Sequence, residues 1–196
     1  MYKVGITGGI GSGKSTLCEL LARYGIPVYD SDSRAKALMS ESQELRLALC
    51  EAFGAECYLG EELNRPYLSQ RVFGDAAALQ RLNSIVHPAV RADFRAWAEC
   101  QSSEYVILES AILFEAGFEN EVDTIVAVLA PLQERIQRAM SRDNVSQEGI
   151  LRRISHQMSD DELMQRSHRS IVNIRREYLQ SDAEQLHMIL LYEARR

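Results

Sequence analysis

Eight residues near the start of the chain, Gly8-Gly9-Ile10-Gly11-Ser12-Gly13-Lys14-Ser15, have the types and spacing of a loop that grips nucleotide phosphates. Gly8, Gly11 and Gly13 let the backbone close on phosphate oxygens, so that successive N–H groups, Ser12 among them, point inward as an anion nest. Lys14 brings a cation to the β- and γ-phosphates. The Ser15 hydroxyl is a ligand for Mg²⁺, and Thr16 completes the nucleotide-binding run. A helix that starts here adds the positive end of its dipole.

Two further groups of residues have chemistry in them. Asp30 and Asp32 follow an apolar β-prone stretch, where a carboxylate can orient an acceptor hydroxyl and take its proton; an equally ordinary use of such aspartates is to cap the next helix. Arg135, Arg138 and Arg142 lie on a helical segment, the last two one turn apart and on one face. A guanidinium fork matches phosphate oxygens, and arginines over a transferring phosphoryl group offset the charge that builds there. By periodicity alone, these arginines equally fit a solvated helix face paired with neighbours such as Glu134.

The elements that must hold these residues can be read from pattern. Residues 2–7 are short, apolar and β-prone, and Leu17, Leu20, Leu21 and Tyr24 then recur at helical spacing until Gly25 and Pro27 stop the helix. Strand, glycine loop, helix is the order a phosphate-binding loop requires. Residues 26–29 read as a second strand. Residues 33–101 have a helical texture, with Pro66 opening one helix, Asp75 capping another and His87-Pro88 breaking a third. Residues 105–109 and 123–129 are near-continuous apolar runs, which suits strands buried on both faces of a parallel sheet. Pro131 starts the arginine helix, residues 170–174 read as a last strand, and 182–196 as a terminal helix. Ser159-x-x-Glu162 and Ser181-x-x-Glu184 both fit capping boxes. Strands alternating with helices imply an α/β fold with a parallel sheet, and phosphate sites in such folds lie at the carboxyl ends of the strands.

Whole-chain properties narrow the classes. The chain has 196 residues, 26% charged and 46% hydrophobic, with a formal net charge of −6. That length allows one sizeable core with inserted lobes, and that charge gives no support for nonspecific nucleic-acid binding. No apolar run approaches a membrane span, and the first residues lack a signal-peptide layout. The four cysteines, Cys18, Cys50, Cys57 and Cys100, form no C-x-x-C pair and no zinc spacing, which fits a reduced cytoplasmic protein. No N-K-x-D guanine reader occurs, and the chain is short for a mechanical ATPase. A small-molecule kinase has a candidate for each part it needs.

Taken together, the motifs resemble the dephospho-CoA kinase family. The resemblance rests on Gly5-Ile6-Thr7-Gly8-Gly9-Ile10-Gly11-Ser12-Gly13-Lys14-Ser15-Thr16, on Val28-Tyr29-Asp30-Ser31-Asp32, and on Asn64-Arg65 with Val72-Phe73. Leu82-Asn83-Ser84-Ile85-Val86-His87-Pro88, Ile112-Leu113-Phe114-Glu115-Ala116-Gly117, Arg138 with Arg142-Asp143, and Gln157 extend it to about residue 173. It implies a P-loop kinase fold whose nucleotide core spans about residues 1–32, 103–133 and 168–196. It also implies a helical acceptor-binding lobe over 33–102 and a lid over 134–167. The implied reaction moves the γ-phosphoryl group of ATP to the ribose 3′-hydroxyl of dephospho-coenzyme A, with Mg²⁺ as cofactor. In the matching roles Asp32 is the general base, Lys14, Arg138 and Arg142 act on the phosphates, and Arg65 and His87 bind the acceptor. Glu109 stands where the family has an aspartate and helps Ser15 with Mg²⁺. Ala111 replaces a usual proline, and Ile174-Arg175 replace small residues after Asn173, beside the expected adenine site. The resemblance implies a monomer or small homo-oligomer that binds neither nucleic acid nor membrane. Two other readings stay open from the residues themselves: another nucleotide or small-molecule kinase on the same scaffold, and a nucleotide-binding module without catalysis.

Overall fold

A computed structural model describes residues 1–143, 145–155, 157–175 and 177–196. The chain runs β1 (Tyr2–Thr7), α1 (Lys14–Ala22), β2 (Val28–Asp30), α2 (Ser31–Glu41), α3 (Gln43–Phe53), β3 (Tyr58–Leu59) and β4 (Glu62–Leu63). It continues through α4 (Arg65–Val72), α5 (Ala76–Glu99), β5 (Tyr105–Glu109), β6 (Thr124–Leu129) and α6 (Leu132–Asp143). Then come α7 (Gln147–Ile154), α8 (Asp160–Arg166), β7 (Arg169–Val172) and α9 (Leu179–Ala194). Two compact units result: Met1–Asp30 with Ala98–Arg196, and Ser31–Trp97.

The first unit is built on a parallel sheet of order β2-β5-β1-β6-β7. Every residue of β6 is buried, as are Tyr105, Val106, Ile107 and Leu108 of β5, which is why these strands read as unbroken apolar runs. Leu17 and Leu21 of α1 pack with Leu186 and Leu190 of α9 against Val4, Ile6, Ile107, Val126 and Val128. Each such fully buried aliphatic side chain contributes about 1.5–3 kcal/mol. The Tyr105 hydroxyl bonds His187 Nδ1 at 2.8 Å, and Tyr24 stacks on the same ring at 4.5 Å between centroids. Burial pushes the Tyr105 phenol up and the His187 imidazole down, which favours the neutral form of each. A smaller apolar cluster joins Ile136 and Ala139 of α6 to Ile150 of α7, with Ile10 packed against it. The expected lid, 134–167, comprises α6, α7 and α8; Asn144 and His156 within it lie outside the described residues.

In the second unit, Arg34 of α2 makes a two-pronged bond to Asp93 of α5, at 3.1 and 3.0 Å. Asn64 caps α4 by accepting from the Tyr67 N–H, with Pro66 in the first turn. Asp75 Oδ1 accepts from the N–H groups of Ala77 and Ala78 and so opens α5.

Three local expectations differ from the structure. Pro88 does not break the chain but sits inside α5. A proline there removes one hydrogen bond and costs about 3 kcal/mol. Val86, Val90 and Phe94 are all buried at four-residue spacing, so the apolar stripe stays in phase across it. Ser181 lies within α9, which begins at Leu179 after Tyr178, so its capping-box pattern is not used. The box at Ser159 and Glu162 is formed in full. Finally, β3 and β4 form an antiparallel hairpin inside a stretch of helical texture. Two-residue strands are too short to carry a readable alternation.

Candidate active site

The loop between β1 and α1 turns on glycines with positive φ, among them Gly11 at 77° and Gly13 at 101°. L-residues rarely adopt these values, and a side chain would also meet neighbours: a Cβ on Gly13 would overlap the Asn173 amide. Asn173, directly after β7, is 4% exposed and donates from Nδ2 to the Ser12 carbonyl at 2.8 Å. The loop is thereby fastened to the far edge of the sheet.

Helix α1 begins at Lys14 with no side-chain cap and no acidic residue in its first turn. Its leading N–H groups are left for a ligand, and the dipole there favours an anion. Around the loop, Thr7 Oγ1, Ser12 Oγ and Asn173 Oδ1 are buried without a protein partner. Orphaned polar atoms of this kind concentrate where something else binds. A cavity of about 680 Å³ opens here, lined by Lys14, Ser15, Thr16, Arg138, Arg142 and Asn173 among others. That volume suits a nucleotide.

Ser15 Oγ donates to Glu109 Oε1 at 2.5 Å, at the carboxyl end of β5. Asp30, the last residue of β2, is the register partner of Glu109. Burial is the main cause that pushes the Glu109 carboxyl up, and Asp30 adds to it; the Ser15 hydroxyl and Lys14 work the other way. The Cys18 thiol packs beside this carboxylate, and burial first and Glu109 second push it well up, so it stays protonated. Hydroxyl and carboxylate oxygens are the donors that Mg²⁺ takes. Among the described residues no group of three or more His, Cys, Asp and Glu is placed to hold a metal ion.

The three arginines of α6 divide. Arg138 and Arg142 line the cavity. Arg138 donates to the carbonyls of Asn173 and Ile174 at 3.3 and 3.2 Å. Arg142 makes two bonds to Asp143, which also accepts from Arg153 at 3.0 Å. These guanidinium groups hold the Asp143 carboxyl below its ordinary range. Arg135 does not join them: it is 4% exposed and turned onto the outer side of the loop, where it pairs with Asp160 at 2.7 Å. Helical spacing alone does not mark which of the three points away, because it gives a face but not a direction of approach.

The remaining expected site residues belong to the second unit. Asp32 lies in the first turn of α2, the helix that follows β2 without a break. Arg65 is exposed at the start of α4. His87 is half-buried on α5, and burial with nearby Arg91 lowers its pKa, so the ring is neutral near neutral pH.

Two residues that sequence reasoning gave no structural role brace the loop. Gln157 Oε1 accepts from the Ile10 N–H at 2.9 Å, and Arg135 Nε donates to the Ile10 carbonyl at 3.1 Å.

Comparison with known proteins agrees with this geometry. The family model for dephospho-CoA kinase matches residues 2–177. The chain is 44% identical to a dephospho-CoA kinase of Bacteroides fragilis over 172 residues, 87% of this chain and 84% of that protein. It is 45% identical to one of Salinibacter ruber over 177 residues, 88% and 89% of the two chains. The crystal structure of TT1252 from Thermus thermophilus superposes with a TM-score of 0.82 at 34% identity, covering 96% of each chain. The parallel sheet with its glycine loop and flanking helices has the P-loop kinase fold. A match that runs through the phosphate loop, both carboxylate-bearing strand ends and the arginine helix shows that the chain belongs to the dephospho-CoA kinase family.

Proposed function

We propose that this chain uses ATP to phosphorylate the ribose 3′-hydroxyl of dephospho-coenzyme A, giving coenzyme A and ADP, the last step of coenzyme A synthesis. The observation that carries the reading is the uncapped start of α1, with Lys14 at its head, opening into a cavity that Arg138 and Arg142 also line. Family membership supplies the acceptor.

In this reading Gly8, Gly11, Ser12, Gly13, Ser15 and Thr16 form the cradle, with the first N–H groups of α1 facing the phosphates. Lys14 holds the β- and γ-phosphates. The acceptor oxygen attacks the γ-phosphorus, the bond to the bridging oxygen breaks, and ADP leaves with that electron pair. Asp32 takes the hydroxyl proton, and Arg65 and His87 hold the acceptor. Arg138 and Arg142 offset the charge on the transferring group. Arg142 exchanges Asp143 for phosphate as α7 closes, and closure keeps water from the γ-phosphate.

Mg²⁺ fits the oxygen donors of Ser15 and Glu109, with Asp30 beside them. When bound, the ion neutralises charge across the β- and γ-phosphates. Four free thiols support a reducing, cytoplasmic setting. Among the described residues no helix is long and apolar enough to cross a membrane.

A coupled assay of ADP release with ATP, Mg²⁺ and a panel of acceptors tests the proposal. Turnover with dephospho-coenzyme A is expected to exceed that with nucleoside monophosphates by orders of magnitude. The reverse preference overturns the acceptor assignment, and nucleotide binding without transfer to any acceptor overturns the catalytic one.

A further inference from the structure

Arg135 is the one charged residue among the buried positions described, and no step of the phosphoryl transfer uses it. A buried guanidinium carries a desolvation cost of several kcal/mol unless its donors are met in good geometry. Here two of them are met, by groups far apart in sequence. Nε donates to the Ile10 carbonyl at 3.1 Å, and Nη1 donates to Asp160 Oδ1, at the first residue of α8, at 2.7 Å. Nη2 lies so close to Gly9 that a Cβ there would overlap it, and the Arg135 backbone does the same to Gly11. Two loop glycines are therefore shaped around this arginine as much as around a phosphate.

The other half of the Ile10 peptide environment is also occupied. Its N–H is held by Gln157 Oε1 at 2.9 Å. Both backbone groups of Ile10 thus bond to side chains from outside the loop, and neither is left to turn toward a phosphate. The shoulder of the loop is fixed from behind, with the Ser12 N–H bonded to the Gly9 carbonyl at 3.1 Å, while the first N–H groups of α1 stay open to the ligand. A loop set in its binding shape loses less freedom when the ligand arrives, and that difference goes directly into affinity.

We infer that Arg135, held by Asp160, is a positioning residue for phosphate binding: it fixes the Ile10 carbonyl and so presets the loop that receives the β-phosphate. Asp160 opens α8, which Arg166 ties to Glu119 at 3.2 Å. The Met158 N–H, just before it, bonds Glu115 at 3.2 Å. The Arg135–Asp160 pair therefore anchors the loop to a part of the segment 134–167 that is itself fastened down. The inference rests on the reading of this loop as the ATP site.

The test compares ADP with AMP, because AMP lacks the β-phosphate that the loop would grip. Titration calorimetry on the full chain gives both affinities for the parent, Arg135→Met, Arg135→Lys and Asp160→Asn. Losing a charged hydrogen-bond partner corresponds to about tenfold or more in affinity, so Arg135→Met should weaken ADP by about that factor and leave AMP within about twofold. Arg135→Lys, which keeps the charge but not the fork, should fall between parent and Met variant. Asp160→Asn keeps an acceptor at a half-exposed site and should weaken ADP by about threefold with AMP unchanged. Equal loss of ADP and AMP affinity, or no loss of either, overturns the inference. If Arg135→Met does not fold, the Lys and Asn variants decide by the same comparison. A parent chain that binds neither nucleotide instead overturns the ATP-site reading, and this inference with it.

Discussion

Gly13→Ala is the substitution whose cost can be worked most directly from the structure. Gly13 has φ of 101°, and a Cβ there would overlap Asn173 Nδ2. The backbone strain costs about 1–3 kcal/mol. Relief of the overlap requires the Asn173 amide to move, which breaks its 2.8 Å bond to the Ser12 carbonyl and leaves that buried acceptor unpaired. An unpaired buried acceptor adds about 1–3 kcal/mol, so the total is about 2–6 kcal/mol. Asn173→Ala alone should cost only the second part. In the double variant the overlap is gone, so the two effects should sum to more than the double variant loses. Denaturant unfolding followed by far-UV circular dichroism is the suitable assay, because the single tryptophan, Trp97, belongs to the other unit. Full additivity, or a Gly13→Ala cost below about 1 kcal/mol, would refute the argument that this glycine is required by conformation and by the Asn173 clamp.

Asp32→Asn should lower turnover by about 10²–10⁴-fold, the usual contribution of a positioned base, with ATP affinity unchanged. Normal turnover would leave Asp32 as a first-turn carboxylate that favours the dipole of α2. His87 has a pKa depressed by burial and by Arg91, so the folded chain binds fewer protons there than the unfolded chain below the ordinary value of 6.5. Its contribution to stability is complete above that value and is lost as pH falls through the lowered one. Thermal melts of His87→Gln should accordingly depend less steeply on pH than the parent in that window, and parallel curves would contradict the sign. Backbone hydrogen exchange in α7 should slow when ATP and dephospho-coenzyme A are both added. Exchange in α8, fastened through Arg135, Glu115 and Glu119, should hardly change. Equal slowing of both helices would mean that the whole segment moves as one body.

The parts of this molecule that could be read from sequence are those where one physical constraint acts alone. Continuous apolar runs at 105–109 and 123–129 leave no arrangement but buried strands, and both β5 and β6 formed there. The spacing from Gly8 to Ser15 is fixed by phosphate geometry, and the loop stands between the strand and helix it requires. Where two constraints compete, the local signal misleads. Pro88 signals a stop, but the stripe of Val86, Val90 and Phe94 carries the helix through it. Ser181 fits a capping box, but Leu179, 1% exposed, draws the start of α9 forward. Arg135, Arg138 and Arg142 look alike on a helical wheel. Their split between loop brace and cavity wall depends on Gly9, Gly11 and Asp160, which are distant in sequence and meet it only in the fold.

The burial of Cys18 beside Glu109 also bears on how the protein can be studied. Its thiol, like that of Cys57, is held protonated and out of reach, Cys50 is half-covered, and Cys100 alone stands in solvent. A thiol-reactive dye applied briefly to the untouched chain should therefore settle at position 100. That leaves the phosphate loop and its carboxylates unmodified and gives one site of attachment for following substrate binding by fluorescence.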